Sequence, residues 1–223
     1  MIDFIQNLAS AILPPLFVVY YVYKNDKYEK EPRKLVLKTL LIGCLVVIPV
    51  LLFSIDKSFY SDNFSYALIG VALFEEGFKF LFLRAFIYKK SDFNEPYDGI
   101  LYAVVISMGF ALVENVFYVI GNEGREIGVA FLRMFTAIPL HATCGVIMGY
   151  YVGKTKMVNE KKSLILLIGL LTSILIHGLY DYFLFEGLGI LYSLLVLIIA
   201  IYLSNKAIKT HQENSSFKLK NEV

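Results

Sequence analysis

The chain has 223 residues, of which 57% are apolar and 18% charged; soluble domains run about 45–50% and about 25%, so the excess points to a bilayer rather than a large core. A formal net charge of +2, with no basic stripe interleaved with aromatics, excludes nucleic acid as a partner. Cys44 and Cys144 lie singly in apolar runs, without CxxC or metal spacing, and are expected to be buried thiols.

Seven apolar stretches follow one another near 4–23, 35–53, 66–86, 98–120, 128–152, 163–184 and 188–204. Each is long enough to cross a hydrocarbon layer, which takes roughly 20 helical residues. Runs of this length mean helices, because a spanning segment must satisfy its own backbone. The expected fold is all-α: a polytopic membrane protein, a bundle of seven transmembrane helices forming one domain over 1–204. No basic region precedes the first stretch, so no cleaved signal peptide is expected.

The loops set the expected orientation. Residues 24–34, 84–97, 153–162 and the tail from 205 together hold sixteen Lys and Arg, and the alternate loops hold two, Lys57 and Arg125. Cytoplasmic loops carry the positive excess, which places the N-terminus outside and the C-terminus in the cytoplasm. The tail over 205–223 reads as polar and mobile, with His211 solvated.

Ionisable groups inside the stretches are the informative feature. Glu75, Glu76 and Lys79 lie in the third, Glu114 in the fourth, His141 in the fifth, and His177 and Asp181 in the sixth. Each acid or base near the bilayer centre costs about 2.5–3.5 kcal/mol, so such a cluster persists only where the groups face one another. Glu75 and Lys79 share a helical face, as do His177 and Asp181. His141 begins the series His141, Gly145, Gly149, Gly153, a close-packing face that turns it into the bundle. Lys79 is expected either to pair with Glu75 or to snorkel toward the cytoplasm. Lys38, Arg84 and Arg133, near span ends, read as interfacial anchors. With the expected orientation the cluster extends from the midplane toward the outside, where a water-filled cavity would open.

With neutral histidines the four carboxylates and Lys79 carry a formal charge of −3, which calls for a bound proton or a divalent cation. A carboxylate poised to take a proton from water suits peptide hydrolysis, with histidines donating to the developing oxyanion. A Zn²⁺ ion held by His141, His177 and Glu114 or Asp181 is the alternative, although HExxH is absent. No cofactor is favoured. A proton-coupled transporter, using the same groups as a relay, is the rival class, and a non-catalytic scaffold the third.

At "EEGFK" (75–79), "FALVE" (110–114) and "HGLYD" (177–181) the sequence resembles the PrsW family of bacterial intramembrane proteases. "HATCG" (141–145), "EPYDGILYA" (95–103) and "GVIMGYYVG" (145–153) also resemble family segments, in order and across nearly the whole chain. The resemblance implies a multi-pass protein of the bacterial plasma membrane that makes the extracytoplasmic, site-1 cut in a membrane-anchored anti-sigma factor. A site-2 protease would then complete release of an extracytoplasmic-function sigma factor. Carried over by motif, Glu75 and Glu76 are the catalytic acids and His177 with Asp181 the second pair, with Glu114 and His141 completing the site. Glu76 is expected to activate water, Lys79 or Glu75 to tune it, His141 and His177 to stabilise the oxyanion, and Asp181 to orient His177. A metal-free, glutamate-type enzyme is expected ahead of a zinc one.

Overall fold

The computed structural model describes residues 2–121, 126–158, 160–187, 189–215 and 217–218, and the side chains of 2–5 and 126–127 are not among those described. All regular structure in them is helical. The helices are α1 (Ile2–Lys24), α2 (Arg33–Phe53), α3 (63–87), α4 (Pro96–Ile120), α5 (Glu126–Phe135), α6 (Ala137–Met157), α7 (Lys162–Phe185) and α8 (Ile190–Glu213). Five segments among the described residues are long and apolar enough to cross a membrane: Arg33–Phe53, Pro96–Ile120, Gly128–Met157, Lys162–Phe185 and Ile190–Glu213. The continuous helix over 63–87 is as long, but Glu75, Glu76, Lys79 and Arg84 interrupt its apolar run.

The axis of the bundle is α4. Residues 96–111 are buried without a break, as expected of a helix that is apolar on every side. Leu13, Phe17, Leu41, Leu45, Leu171 and Ile198 point outward from α1, α2, α7 and α8 and remain exposed, the surface a lipid-facing layer needs. Two glycine contacts set how closely the neighbours approach. A Cβ on Gly149 would lie 2.3 Å from the carbonyl oxygen of Gly99, and one on Gly109 would lie 2.2 Å from that of Leu40. Helices α6 and α2 therefore touch α4 backbone to backbone, and the Gly145–Gly149–Gly153 face packs as its spacing predicts.

The expected fifth span is two helices. They break at Thr136, whose φ of −124° and ψ of −74° are not helical. Pro139 has no N–H for the carbonyl of Phe135 and lies in the first turn of α6, which starts anew with the Leu140 N–H donating to the Thr136 carbonyl at 3.0 Å.

The expected tail also differs. Residues 205–213 continue α8, and His211 is buried rather than solvated: its Nε2 lies 2.8 Å from the Tyr150 carbonyl and its ring stacks on that of Tyr150, centroids 4.3 Å apart. Gln212 donates to the Asn25 carbonyl at 2.7 Å, fastening this helix end to the α1–α2 loop. Cys144 is buried and Cys44 only half-buried. Arg125 and residues 219–223 lie outside the described residues.

At the same end, four buried carboxylates meet: Asp26 and Glu31 from the α1–α2 loop, Glu95 and Asp98 from the start of α4. Asp98 Oδ2 accepts from the Asn94 and Glu95 N–H groups at 2.7 and 2.8 Å, closing a capping box ahead of Pro96. Tyr102 donates to Glu31, and Ser215 to Glu95. Burial, reinforced by the Glu95 charge, pushes Asp26 up to about 7. Burial also pushes Glu31 up to about 7, against the opposing Tyr102 hydrogen bond.

Replacing Gly149 with Ala forces α6 off α4 and should cost about 1–3 kcal/mol, read as a lowered unfolding midpoint in detergent. Because the native state holds protons that the unfolded chain releases near pH 4, stability should be fully present below that pH and fall as pH rises toward 7. Thermal melts between pH 5 and 8 should show this decline, and Glu31→Gln, which keeps an acceptor for Tyr102, should flatten it.

Candidate active site

Helix α3 carries the first set of groups. Its stretch Tyr66–Ala72 is wound as a π-helix, with the Leu73 N–H bonded to the Leu68 carbonyl five residues back. Wide turns of this kind recur at functional sites, and this one directly precedes Glu75, Glu76 and Lys79, all buried. Gly178 of α7 allows the close approach to this turn, since a Cβ there would sit 2.7 Å from Leu68 Cδ1. The contact brings His177 against the two glutamates.

Lys79 is 1% exposed and sits at the centre. Its Nζ lies 2.8 Å from Glu76 Oε1, 3.0 Å from His141 Nδ1 and 3.4 Å from Glu75 Oε2, over the Phe110 ring at 4.2 Å. It does not snorkel, and its nearest acid is Glu76 rather than Glu75. An ammonium only donates, so His141 Nδ1 accepts and its Nε2–H donates to Glu114 Oε2, 2.9 Å away. Both nitrogens of His141 are therefore committed.

His177 is placed differently. Its Nδ1–H donates to Glu76 Oε1 at 2.9 Å. Its Nε2 lies 3.4 Å from Asp181 Oδ2 and 3.9 Å from Glu75 Oε2. The two imidazoles meet edge to face, centroids 5.2 Å apart.

A cavity of about 520 Å³ adjoins the cluster, lined by Glu75, Glu114, Arg133, His141, His177 and Asp181. Glu76 and Lys79 lie behind this wall. The opening faces the end of the bundle where α2 finishes and α3 begins, with Lys57 at its rim, 5.4 Å from the Phe185 ring. The basic loops lie at the opposite end.

All seven residues singled out in the sequence converge here. One more belongs with them. Arg133 is no interfacial anchor: Nη2 donates to Glu114 Oε2 at 2.7 Å, Nε donates to Asn115 Oδ1 at 2.6 Å, and the guanidinium lies 3.9 Å over the Tyr118 ring. With two cations facing four carboxylates, the formal charge with neutral histidines is −2. The nearest local signal for Arg133 was Pro139, in the first turn of α6, with Arg133 in the last turn of α5.

Glu75, Glu76, His141 and His177 offer donor atoms within 4.8 Å of one another, and these are donor types that zinc takes. Their arrangement does not fit that ion as it stands. Lys79 Nζ already occupies the position among three of them, and two cations cannot share it; His141 has no nitrogen to spare. In the set His141, His177 and Glu114 or Asp181, His141 could ligate only through Nδ1 and only with Lys79 moved away.

A helical bundle with many lipid-facing side chains and an acid–imidazole cluster opening into a polar cavity defines a polytopic membrane protein built around an acid–base centre. Residues 31–204 match the model of the PrsW family intramembrane metalloproteases. The chain is 36% identical to "Protease PrsW" of Oceanobacillus iheyensis over 208 residues, 90% of this chain and 95% of that protein. It is 34% identical to that of Shouchella clausii, over 89% and 93% of the two chains, and 32% to that of Bacillus subtilis, over 79% and 82%. No solved structure matches it. The chain belongs to the PrsW family: it is a multi-pass bacterial membrane protease. The transporter and scaffold expectations give way to this assignment.

The buried cation is open to a direct test. Lys79→Met strands Glu75 and Glu76 without their counter-ion and should cost about 3–5 kcal/mol. Adding Glu76→Gln to that variant should recover part of the loss. An unchanged melting midpoint in Lys79→Met would contradict the central place given to this ammonium.

Proposed function

We propose that this protein is a glutamate-type endopeptidase that makes the extracytoplasmic cut in a membrane-anchored, single-span anti-sigma factor, the step that precedes a site-2 protease and release of a sigma factor. The observation that carries the catalytic part is the division of labour between neighbouring acids: Glu75 lines the cavity, while Glu76 is fully buried and holds Lys79 and His177 on one oxygen. The substrate class rests on the sequence motifs. The seven expected spans with an external N-terminus would put the cavity, which lies opposite the basic loops, on the outer side.

In this scheme Glu75, rather than Glu76, takes a proton from water as the water oxygen bonds to the scissile carbonyl carbon. His177 acts in this scheme as an imidazolium: Nδ1–H donates to Glu76, and Nε2–H, beside Asp181 at the cavity wall, donates to the oxyanion while Asp181 orients the ring. The C–N bond then breaks and Glu75 returns the proton to the leaving nitrogen. Glu76 and Lys79 hold His177 and Glu75 in place, and no step passes through a metal. The family's description as metalloproteases supports a second reading, in which zinc takes the position of the Lys79 ammonium among Glu75, Glu76, His141 and His177.

Proteoliposomes containing the protein and a single-span anti-sigma factor separate the two. Glu75→Gln should lower the cleavage rate by at least about 100-fold, and a strong zinc chelator should leave the wild-type rate unchanged. Loss under chelator, restored by added zinc, would replace the glutamate scheme with the metal one.

A further inference from the structure

Arg133 has a role that neither its position in the sequence nor the family motifs assign. It sits in the last turn of α5, three residues before the break at Thr136, and its side chain is half-buried at the cavity wall. Nε and Nη2 are both committed, to Asn115 and Glu114, and the plane is clamped on Tyr118. A group held on three sides by α4 is built to fix something, not to sweep the cavity for substrate.

What it fixes is Glu114 Oε2, the same oxygen that accepts from His141 Nε2. That bond and the Lys79 contact at Nδ1 together fix the histidine's tautomer. With Nε2 protonated, Nδ1 is left as the acceptor for Lys79, whose other partners are Glu76 and Glu75. The chain of contacts thus runs from Arg133 through Glu114, His141 and Lys79 to the two glutamates of α3, crossing three helix interfaces. If Glu114 swings away, His141 has no acceptor at Nε2, the alternative tautomer becomes available, and that tautomer sets an N–H against the ammonium.

We infer that Arg133 is a positioning residue for proteolysis: by pinning Glu114 it holds His141 in the Nε2–H tautomer and so keeps the Lys79 ammonium in register with Glu75 and Glu76. The inference rests on the proposed reading of Glu75 as the group that activates water. It predicts an effect on turnover rather than on substrate binding, because Arg133 reaches the reacting atoms only through other side chains.

The test pairs kinetics with a readout that needs no activity. In proteoliposomes, Arg133→Gln should lower kcat about 10- to 100-fold with KM nearly unchanged. Glu114→Gln should do the same, and the double variant should be no worse than either single one. Arg133→Lys, which keeps the charge but loses the Asn115 bond, should fall between wild type and Arg133→Gln. In protein labelled with ¹⁵N-histidine, wild-type His141 should show a single Nε2–H tautomer, and Arg133→Gln a mixture. Should Arg133→Gln fail to fold, Asn115→Ala, which removes the anchor of the guanidinium together with a long bond to the Ala11 carbonyl, should show the same pattern at smaller size. Multiplying losses in the double variant, a change confined to KM, or an unaltered His141 spectrum would each overturn the inference. If Glu75→Gln cleaves as fast as wild type, the reading of Glu75 fails, while the ¹⁵N result still decides what Arg133 does to His141.

Discussion

The structure turns on a single ammonium group. Lys79 is sealed in the bundle with its Nζ against Glu76, Glu75 and His141, and every other member of the site is arranged by that fact. A lone charge in such a place is prohibitive, whereas a pair with matched hydrogen bonds is sustainable. Because the ammonium can only donate, it sets the direction of the bonds beyond it: His141 must accept at Nδ1 and donate at Nε2, which requires an acceptor at Glu114. Glu76, drawn onto Lys79, offers the same oxygen to His177 and leaves the second nitrogen of that ring toward the cavity. The polarity of the network follows from one side chain that has no alternative hydrogen-bonding state.

This arrangement also separates the two adjacent glutamates. Glu76 is enclosed and serves the interior; Glu75 faces the cavity. Neighbouring residues on a helix point about 100° apart, so once one of them is turned to Lys79 and His177 the other is carried to the wall. The wide-turned segment Tyr66–Ala72 ahead of them, packed against Gly178, sets that rotation. In this chain a divalent ion held by Glu75, Glu76, His141 and His177 would compete with the Lys79 ammonium for that place.

A rigid frame holds the network in register. Helix α4 is buried for most of its length and meets α2 and α6 at glycines whose absent side chains let backbones touch. Interfaces of this kind have little freedom to slide, because any shift brings backbone into backbone. Glu114 and Asn115, near the exposed end of α4, are therefore fixed points, and Arg133 reaches them from α5. At the other end of the same helix, Glu95 and Asp98 meet Asp26 and Glu31, and Ser215 and Gln212 fasten the end of α8 there. One helix thus carries a site at one end and a proton-holding cluster at the other.

Much of this was legible in the sequence, and the parts that were share a cause. Helix identity, the apolar belt, the inward turn of His141 and the pairing of His177 with Asp181 depend on composition and on the 3.6-residue period, which are local. That seven ionisable residues would meet was legible because such groups in apolar stretches have few places to go. The break at Thr136 has a local correlate in Pro139, although Pro14, Pro15 and Pro49 lie inside continuous helices, and the inward placement of Arg133 comes from its partners Glu114 and Asn115. Other features were decided by packing between helices. Lys79 bonds Glu76 more closely than Glu75, although the four-residue spacing favoured Glu75, because His141 and Phe110 from other helices fix where its Nζ lies. His211 is buried because α8 extends far enough to reach Tyr150 on α6. The four carboxylates at the start of α4 come from two segments about 70 residues apart, and no local pattern links them. The sequence determined which groups must leave the lipid; the tertiary structure decided which of them meet, since distances between helices are set by how the whole bundle packs.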